Sequence, residues 1–359
     1  MSSKLNELRI GPLRLDFPVV QAALSGYSDM PMRLIARRHG APYTLCEVML
    51  DKFIVDLKMR RRNQHFLHVA DEEHPTGGQL MGAEPELFAP AAVRMVQNGF
   101  DVIDVNFGCP VKKVLGRCRG GFHLSQPSVA LEIIRRVRDA VPVHVPVTVK
   151  MRRGIDDSAE SREKFFEIFD GAYTEGAAAI TVHGRTVTQR YDGPSRWEFL
   201  REVKAHAGSR VVLGSGDLFS AQACLDMIEF TGVDGVTVAR GAIGNPWIFA
   251  HARALAAGAP LPEPPSLFEQ RDVITEHYRL AEELYGPERC LPDMRKFAIK
   301  YSQLHRLHVE VRADFCKVKL PGTWRDVLEK WYAVDGPGVY PLIEEPNPRS
   351  SEAELLTAS

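Results

Sequence analysis

The first 257 residues alternate between short apolar runs and longer amphipathic stretches, and that alternation predicts the fold. The candidate strands are Phe17–Ala22, Tyr43–Val48, Thr76–Met81, Asp101–Asn106, Pro146–Met151, Ala178–His183, Arg210–Ser215 and Gly235–Ala239. Helix-length segments lie between them, among them Pro85–Gln97, Pro127–Ala140, Ala159–Thr174, Ser195–His206 and Ser220–Phe230. Ser158 and Ser195 are each followed by an acidic residue within one turn and read as helix caps. Strands that alternate with helices predict an α/β protein, a (β/α)8 barrel of the TIM type. A doubly wound sheet is the alternative, but the early Gly-x-Gly-x-x-Gly it usually carries is absent. Leu8–Leu15, ahead of the first strand, is expected to form a hairpin that plugs the base.

The pattern changes after Ala257. Residues 258–266 are proline-rich and cannot continue a helix, so they read as a linker between a barrel of residues 1–257 and a second unit. Leu267–Tyr285, Leu291–Leu307 and Gly322–Trp331 have helical periodicity and predict a small α-helical domain over residues 267–343. Residues 344–359 are polar, with prolines and serines, and read as a disordered tail.

Composition narrows the function classes. The net charge of −1 excludes a general polycation, so any nucleic-acid contact needs a local basic surface. The helical unit offers one, with Arg295, Lys296, Lys300, Arg306, Arg312, Lys317, Lys319 and Arg325, joined by His305 and His308. Lys58 and Arg60 to Arg62 form a second cluster. The six cysteines show neither a CxxC pair nor metal-ligand spacing, so no metal is expected and a reducing cytoplasm suits them. The N-terminus lacks an apolar leader core, and no apolar run approaches membrane-spanning length. A cytoplasmic monomer is the expectation.

Chemistry gathers where the strands end. In a parallel barrel the carboxyl ends of the strands form the active rim. The first strand leads to Ala23 and Leu24, and the second ends at Glu47. Gln79 lies in the third, Asn106 and Cys109 end the fourth, Lys150 and Arg152 the fifth, and His183 and Arg185 the sixth. The seventh runs into Gly214, Ser215, Gly216 and Asp217, and the eighth into Ala239, Arg240 and Gly241. Loops after the last two strands often hold a phosphate, and glycines beside an arginine suit that task. Gln79 and Lys150 suit the polar edge of a flat ring. Cys109, in Asn106-Phe-Gly-Cys-Pro110, is a candidate acid or nucleophile.

Taken together, these segments resemble the tRNA-dihydrouridine synthase family. The resemblance rests on Asp104 to Val114, Val149 to Gly154, Val182 to Thr186, Gly214 to Asp217 and Ala239 to Trp247, in order across the barrel. Met294-Arg295-Lys296 resembles an element of the family's helical domain. Departures fall at Ala23-Leu24-Ser25, at Gly120 to Leu124, where Phe122 and His123 are bulky, and at Gly214-Ser215-Gly216. The resemblance implies that uridines in tRNA are reduced to 5,6-dihydrouridine, with FMN as cofactor and NADPH (or NADH) as electron donor. It implies hydride delivery from flavin N5 to uracil C6 and a proton to C5 from Cys109, with Cys118 the rival acid. It assigns Ala23, Leu24, Gln79, Lys150, His183, Gly214, Ser215, Gly216, Asp217, Ala239, Arg240 and Gly241 to the cofactor. It assigns Asn106, Arg152, Arg185, Arg295 and Lys296 to the substrate. Two other readings share these features: a flavin barrel acting on a free pyrimidine, as dihydroorotate and dihydropyrimidine dehydrogenases do, and a tRNA-binding module without catalysis.

Overall fold

The computed structural model describes residues 5, 7–58 and 61–341, and the backbone alone at residues 61, 62 and 64. The tail expected from residue 344 and Arg60 of the second basic cluster lie outside the described residues. Strands β1 (Leu8–Ile10) and β2 (Leu13–Leu15) form an antiparallel hairpin. The barrel strands are β3 (Val19–Gln21), β4 (Thr44–Leu45), β5 (Met49–Leu50), β6 (Thr76–Met81), β7 (Val102–Phe107), β8 (Val147–Arg152), β9 (Ala179–His183), β10 (Val212–Ser215) and β11 (Gly235–Val238). Every pairing among them is parallel, β11 returns to β3, and β4 joins β6 to close the ring. The expected second strand is broken: β4 and β5 are separate pieces that both pair with β6, so the closed barrel has eight strand positions.

Alternation sorts each strand into two faces. Ile103, Val105, Val147, Val149, Ile180, Val182, Val212, Val236 and Val238 pack outward under the helices. Val20, Tyr43, Leu45, Val102, Ala179 and Leu213 pack inward, with Leu8, Ile10 and Leu15 of the hairpin among them. The hairpin therefore seals the amino-terminal end, as expected, with Gly11 against Pro146 and Ala178. The next inward positions along β7, β8 and β9 are polar (Asp104 and Asn106, Thr148 and Lys150, Thr181 and His183), so the lumen changes from apolar floor to polar mouth.

The helices run close to expectation. Ser158 accepts from Ser161 N and caps Ala159–Thr174. Ser195 does not cap: the helix starts at Trp197, and the Ser195 backbone N–H goes to Asp217 at 2.7 Å. Leu291–Leu307 is shorter than expected, Cys290–Tyr301, and a separate helix, His308–Lys317, follows. Gln303, Leu304 and His305 turn the chain between them, and Gln303 donates to Ile243 O of the barrel.

The helical unit is packed onto the barrel, and its core joins the outer core. Phe297 meets Tyr27 edge-on at 5.4 Å, and Tyr285 donates to Asp29 at 2.8 Å. A Cβ on Gly244 would stand 2.5 Å from Tyr301 N. These contacts set the helices against the loop that follows β3, at the rim of the barrel.

Candidate active site

The site is built on an amide relay across β6, β7 and β8. Thr148 donates to Asp104 Oδ1 at 2.5 Å, and Gln79 Nε2 donates to Asp104 Oδ2 at 2.7 Å. Asn106 Nδ2 donates to Gln79 Oε1 at 2.7 Å. Asn106 Oδ1 then accepts from the backbone N–H of Gly108 and Cys109, at 2.9 and 3.1 Å. Each amide is thereby fixed in one orientation, because a carboxylate at the start of the chain only accepts. Burial raises the Asp104 pKa, with Thr148 and Gln79 opposing the shift. Asp104 is the functional residue that strand-end reasoning passed over. Its signal was an acid inside an apolar run, two positions before Asn106 and so on the same face.

The cysteine sits on a loop that folds back over it. Cys109 is half-buried, and burial pushes its thiol pKa up, against the Val111 backbone and Arg152, so the proton stays on sulfur at neutral pH. A Cβ on Gly120, whose φ is +57°, would lie 2.8 Å from Cys109 Cβ. Only glycine allows both that backbone and that approach. Cys118, on the same loop, is exposed.

Beside the relay, from β8 round to the loop after β11, stands a cluster of cations. Lys150 lies 3.4 Å from Ser215 Oγ, and burial lowers its pKa to about 8. His183 accepts the Arg185 backbone N–H at Nδ1, 3.1 Å away, which leaves the proton on Nε2, facing Gly216. Burial, then Arg152, Lys150, Arg185 and Arg240, hold the His183 pKa well below its usual value, so the ring is neutral. At Gly216, φ is +122° and a Cβ would collide with Ser195 Oγ at 2.3 Å. Asp217 accepts from Arg185 at 2.8 Å, while Arg240 stacks over Tyr191 and Phe219 at 4.8 and 4.9 Å. Gly241 lies so near the loop after β10 that a Cβ would stand 2.1 Å from Leu218 O.

Other expected residues hold walls. Arg152 is buried and donates to the carbonyls of Gly108 (2.9 Å), Thr186 (2.7 Å) and Arg190 (2.6 Å), stapling the loops after β7 and β9 together. Arg185 is fully buried against Gly193 O and Asp217. Gly214 lies within β10 and makes room for Met227 of the helix behind it. Leu24 turns the chain through its bonds with Ser28, and Ala23 packs at the edge of the barrel floor. Arg295 donates to Val318 O at 3.3 Å, and Lys296 pairs with Asp293 and lies over the Tyr27 ring. His305 is buried, with both ring nitrogens bonded, and takes no part in the basic face. Arg306, Arg312, Lys317, Lys319 and Arg325 are exposed, as is Lys58. No metal-ligand cluster occurs among the described residues, and no helix there is long and apolar enough to cross a membrane.

A closed parallel barrel with a thiol, an ammonium and a neutral imidazole at its carboxyl-end mouth defines a barrel enzyme whose chemistry takes place in that mouth. The dihydrouridine synthase (Dus) family model matches residues 20–331, and the chain belongs to that family of oxidoreductases. A probable tRNA-dihydrouridine synthase of Mycobacterium tuberculosis is 35% identical over 303 residues, covering 82% of this chain and 77% of the relative. One from Rickettsia prowazekii is 33% identical, covering 90% and 97%. A tRNA-dihydrouridine synthase B of Xanthomonas campestris is 34% identical, covering 88% and 92%. Among solved structures, histamine dehydrogenase from Rhizobium sp. 4-9 superposes with a TM-score of 0.55 at 14% identity, covering 82% of this chain and 51% of that one. A 2-naphthoyl-CoA reductase superposes at 0.58 and 10% identity, covering 72% and 53%. The chain spans about half of each of these two structures, and the likeness is one of fold.

Proposed function

We propose that this protein reduces uridine in tRNA to 5,6-dihydrouridine, with FMN as the bound redox group and NADPH or NADH as the electron source. The observation that carries this reading is a protonated thiol, Cys109, held on the same mouth as the cationic and N–H donors Lys150 and His183. The donor set fits a flavin phosphate and an electron-rich ring edge. Four cations crowd one neutral imidazole, and Arg185 Nη1 is buried without a partner among the described residues. Lys150 and His183 Nε2–H would face the ring. Gly216, Arg240 and Gly241 would hold the phosphate, with Ser215, Asp217 and Ala239 beside them, and Ala23, Leu24 and Gln79 would line the rest of the group. Bound there and reduced by NADPH or NADH, FMN would supply two electrons to uracil C6 as a hydride.

The residues of the chain do the rest. Hydride at C6 leaves an enolate across C5–C4–O4. Cys109 Sγ–H gives its proton to C5, completing the saturated bond, and the thiolate recovers a proton from solvent. Asn106 holds the Cys109 backbone and keeps one amide N–H for the base edge. Arg152 and Arg185 act through the walls they staple. The uridine leaves its stack to reach the mouth, as in other base-modifying enzymes. The exposed cations Arg306, Arg312 and Lys317 on the helical unit, with Arg295 and Lys296, would take backbone phosphates and set the approach angle.

The test is a purified protein and two variants. The wild type is expected to be yellow and to form dihydrouridine in tRNA. Cys109→Ala is expected to keep its flavin and NADPH oxidation while losing ~10²–10⁴-fold in product formation, with Cys118→Ala near wild type. A colourless protein would overturn the cofactor assignment. Turnover of a free pyrimidine in place of tRNA would overturn the substrate.

A further inference from the structure

Beside the barrel mouth lies a cleft of about 500 Å³ that the proposed reaction does not use. That volume is within the roughly 300–1,000 Å³ of small-molecule sites. Pro110, Leu115, Phe122, Ile155 and Val187 form its apolar walls. They come from the loops after β7, β8 and β9. Pro110 follows Cys109 directly, so the cleft adjoins the reacting thiol, and Arg152 ties together the loops after β7 and β9 that form its walls. The rest of the lining includes Thr188, Asp192 and Arg190.

The shape of this lining selects one kind of guest. Apolar walls that include an aromatic ring suit the faces of a flat heterocycle. A hydroxyl and a carboxylate at the border suit its polar edge. A lipid chain would leave those groups unused, and a bare phosphate would meet Asp192. The segment between Pro110 and the cleft wall adds charge: Lys112, Lys113 and Arg117 are exposed and have no acidic partner among the described residues. Leu115, in the middle of that segment, is itself part of the wall. A basic strip bordering a base-sized apolar slot is the usual combination for single-stranded nucleic acid.

We propose that this cleft holds the base of a nucleotide next to the target uridine on the same RNA strand, with the intervening phosphates on Lys112, Lys113 and Arg117. The inference rests on the reading of the protein as a tRNA-uridine reductase. Cys109 and one wall of the cleft, Pro110, Leu115 and Phe122, are borne on the loop after β7, so seating the neighbouring base also seats the thiol. The site reads shape and stacking, and its preference is for an unpaired neighbour.

The experiment uses full-length enzyme and tRNAs in which the nucleotide on one or the other side of the target is made abasic. For the wild type, one of the two is expected to lower both affinity and kcat/KM, by about 5- to 150-fold, the range of a single base–aromatic stack. Phe122→Ala should show a comparable loss on intact tRNA and no further loss on the abasic one. Phe122→Leu, which keeps apolar bulk, guards against misfolding and should fall between. The Lys112→Ala, Arg117→Ala double variant should lower the slope of log affinity against log salt by about 1.4, two contacts at roughly 0.7 each on a single strand. Equal affinity and rate on intact and abasic tRNAs would overturn the proposal. So would a Phe122→Ala enzyme whose only defect is a raised KM for NADPH, which would assign the cleft to the dinucleotide. A wild type that binds tRNA but forms no dihydrouridine would sink the reductase reading instead, and the affinity comparison would still report on the cleft.

Discussion

Lys150 changes its charge close to working pH. Burial lowers its pKa from 10.5 to about 8, while Asp104 pulls the other way. The ammonium form is therefore lost as pH rises through about 8. A reaction that draws on that charge should lose rate over the same interval. Lys150→Arg keeps a cation throughout and should move the alkaline limb of kcat/KM upward, at a lower plateau because the two groups differ in shape. Identical limbs in both enzymes would place the titration elsewhere. The stability linkage has the opposite sense. The folded pKa lies below the unfolded one, so this group contributes stability above about 10.5 and loses it as pH falls to about 8.

At the scale of strands, the relay from Thr148 to Cys109 is a sequence of forced orientations. Asp104→Leu would remove the acceptor that fixes the relay, leaving Gln79 free to reverse. Asn106 would reverse with it and turn its own N–H₂ toward the N–H groups of Gly108 and Cys109. We expect this variant to fold with a loss of roughly 1–3 kcal/mol, the cost of one buried unpaired polar group, measurable by urea unfolding. Its dihydrouridine yield should fall further than its flavin content. An unchanged yield would show that the thiol does not depend on the relay. Much of this scaffold was legible in the chain. Strand ends announce themselves because an inward face must change from apolar to polar on reaching the mouth. Asp104, Arg152 and Arg185 were harder. Whether a buried polar side chain meets a ligand or a backbone carbonyl depends on loops that cross from other strands, and no local pattern records those crossings. The break between β4 and β5 was hidden for a similar reason: Cys46, Glu47 and Val48 keep the look of a strand, but Glu47 accepts from Gly26 of a different loop.

For the whole molecule, the junction of barrel and helices carries its own titration. Asp29 caps the helix Met30–Arg38 through Met32 N and accepts from Tyr285 of the helical unit. Burial raises its pKa from 3.8 to about 6. The folded value lies above the unfolded one, so the stability it contributes is present below about 3.8 and is lost as pH rises to about 6. Asp29→Asn, an equally good cap, should remove this dependence and flatten the difference in unfolding free energy between pH 4 and 7 by roughly 1–2 kcal/mol, discounted for solvent. Parallel stability curves for the two proteins would show that the junction does not sense Asp29.

The hairpin at the base has a kinetic consequence. With Leu8, Ile10 and Leu15 filling the floor, the barrel is a vessel with a single opening. In the proposed reaction, electron donor and uridine share that doorway and enter one after the other. Such traffic is ping-pong: double-reciprocal plots of rate against NADPH at several fixed tRNA concentrations should give parallel lines. Intersecting lines would mean that both reactants occupy the vessel together.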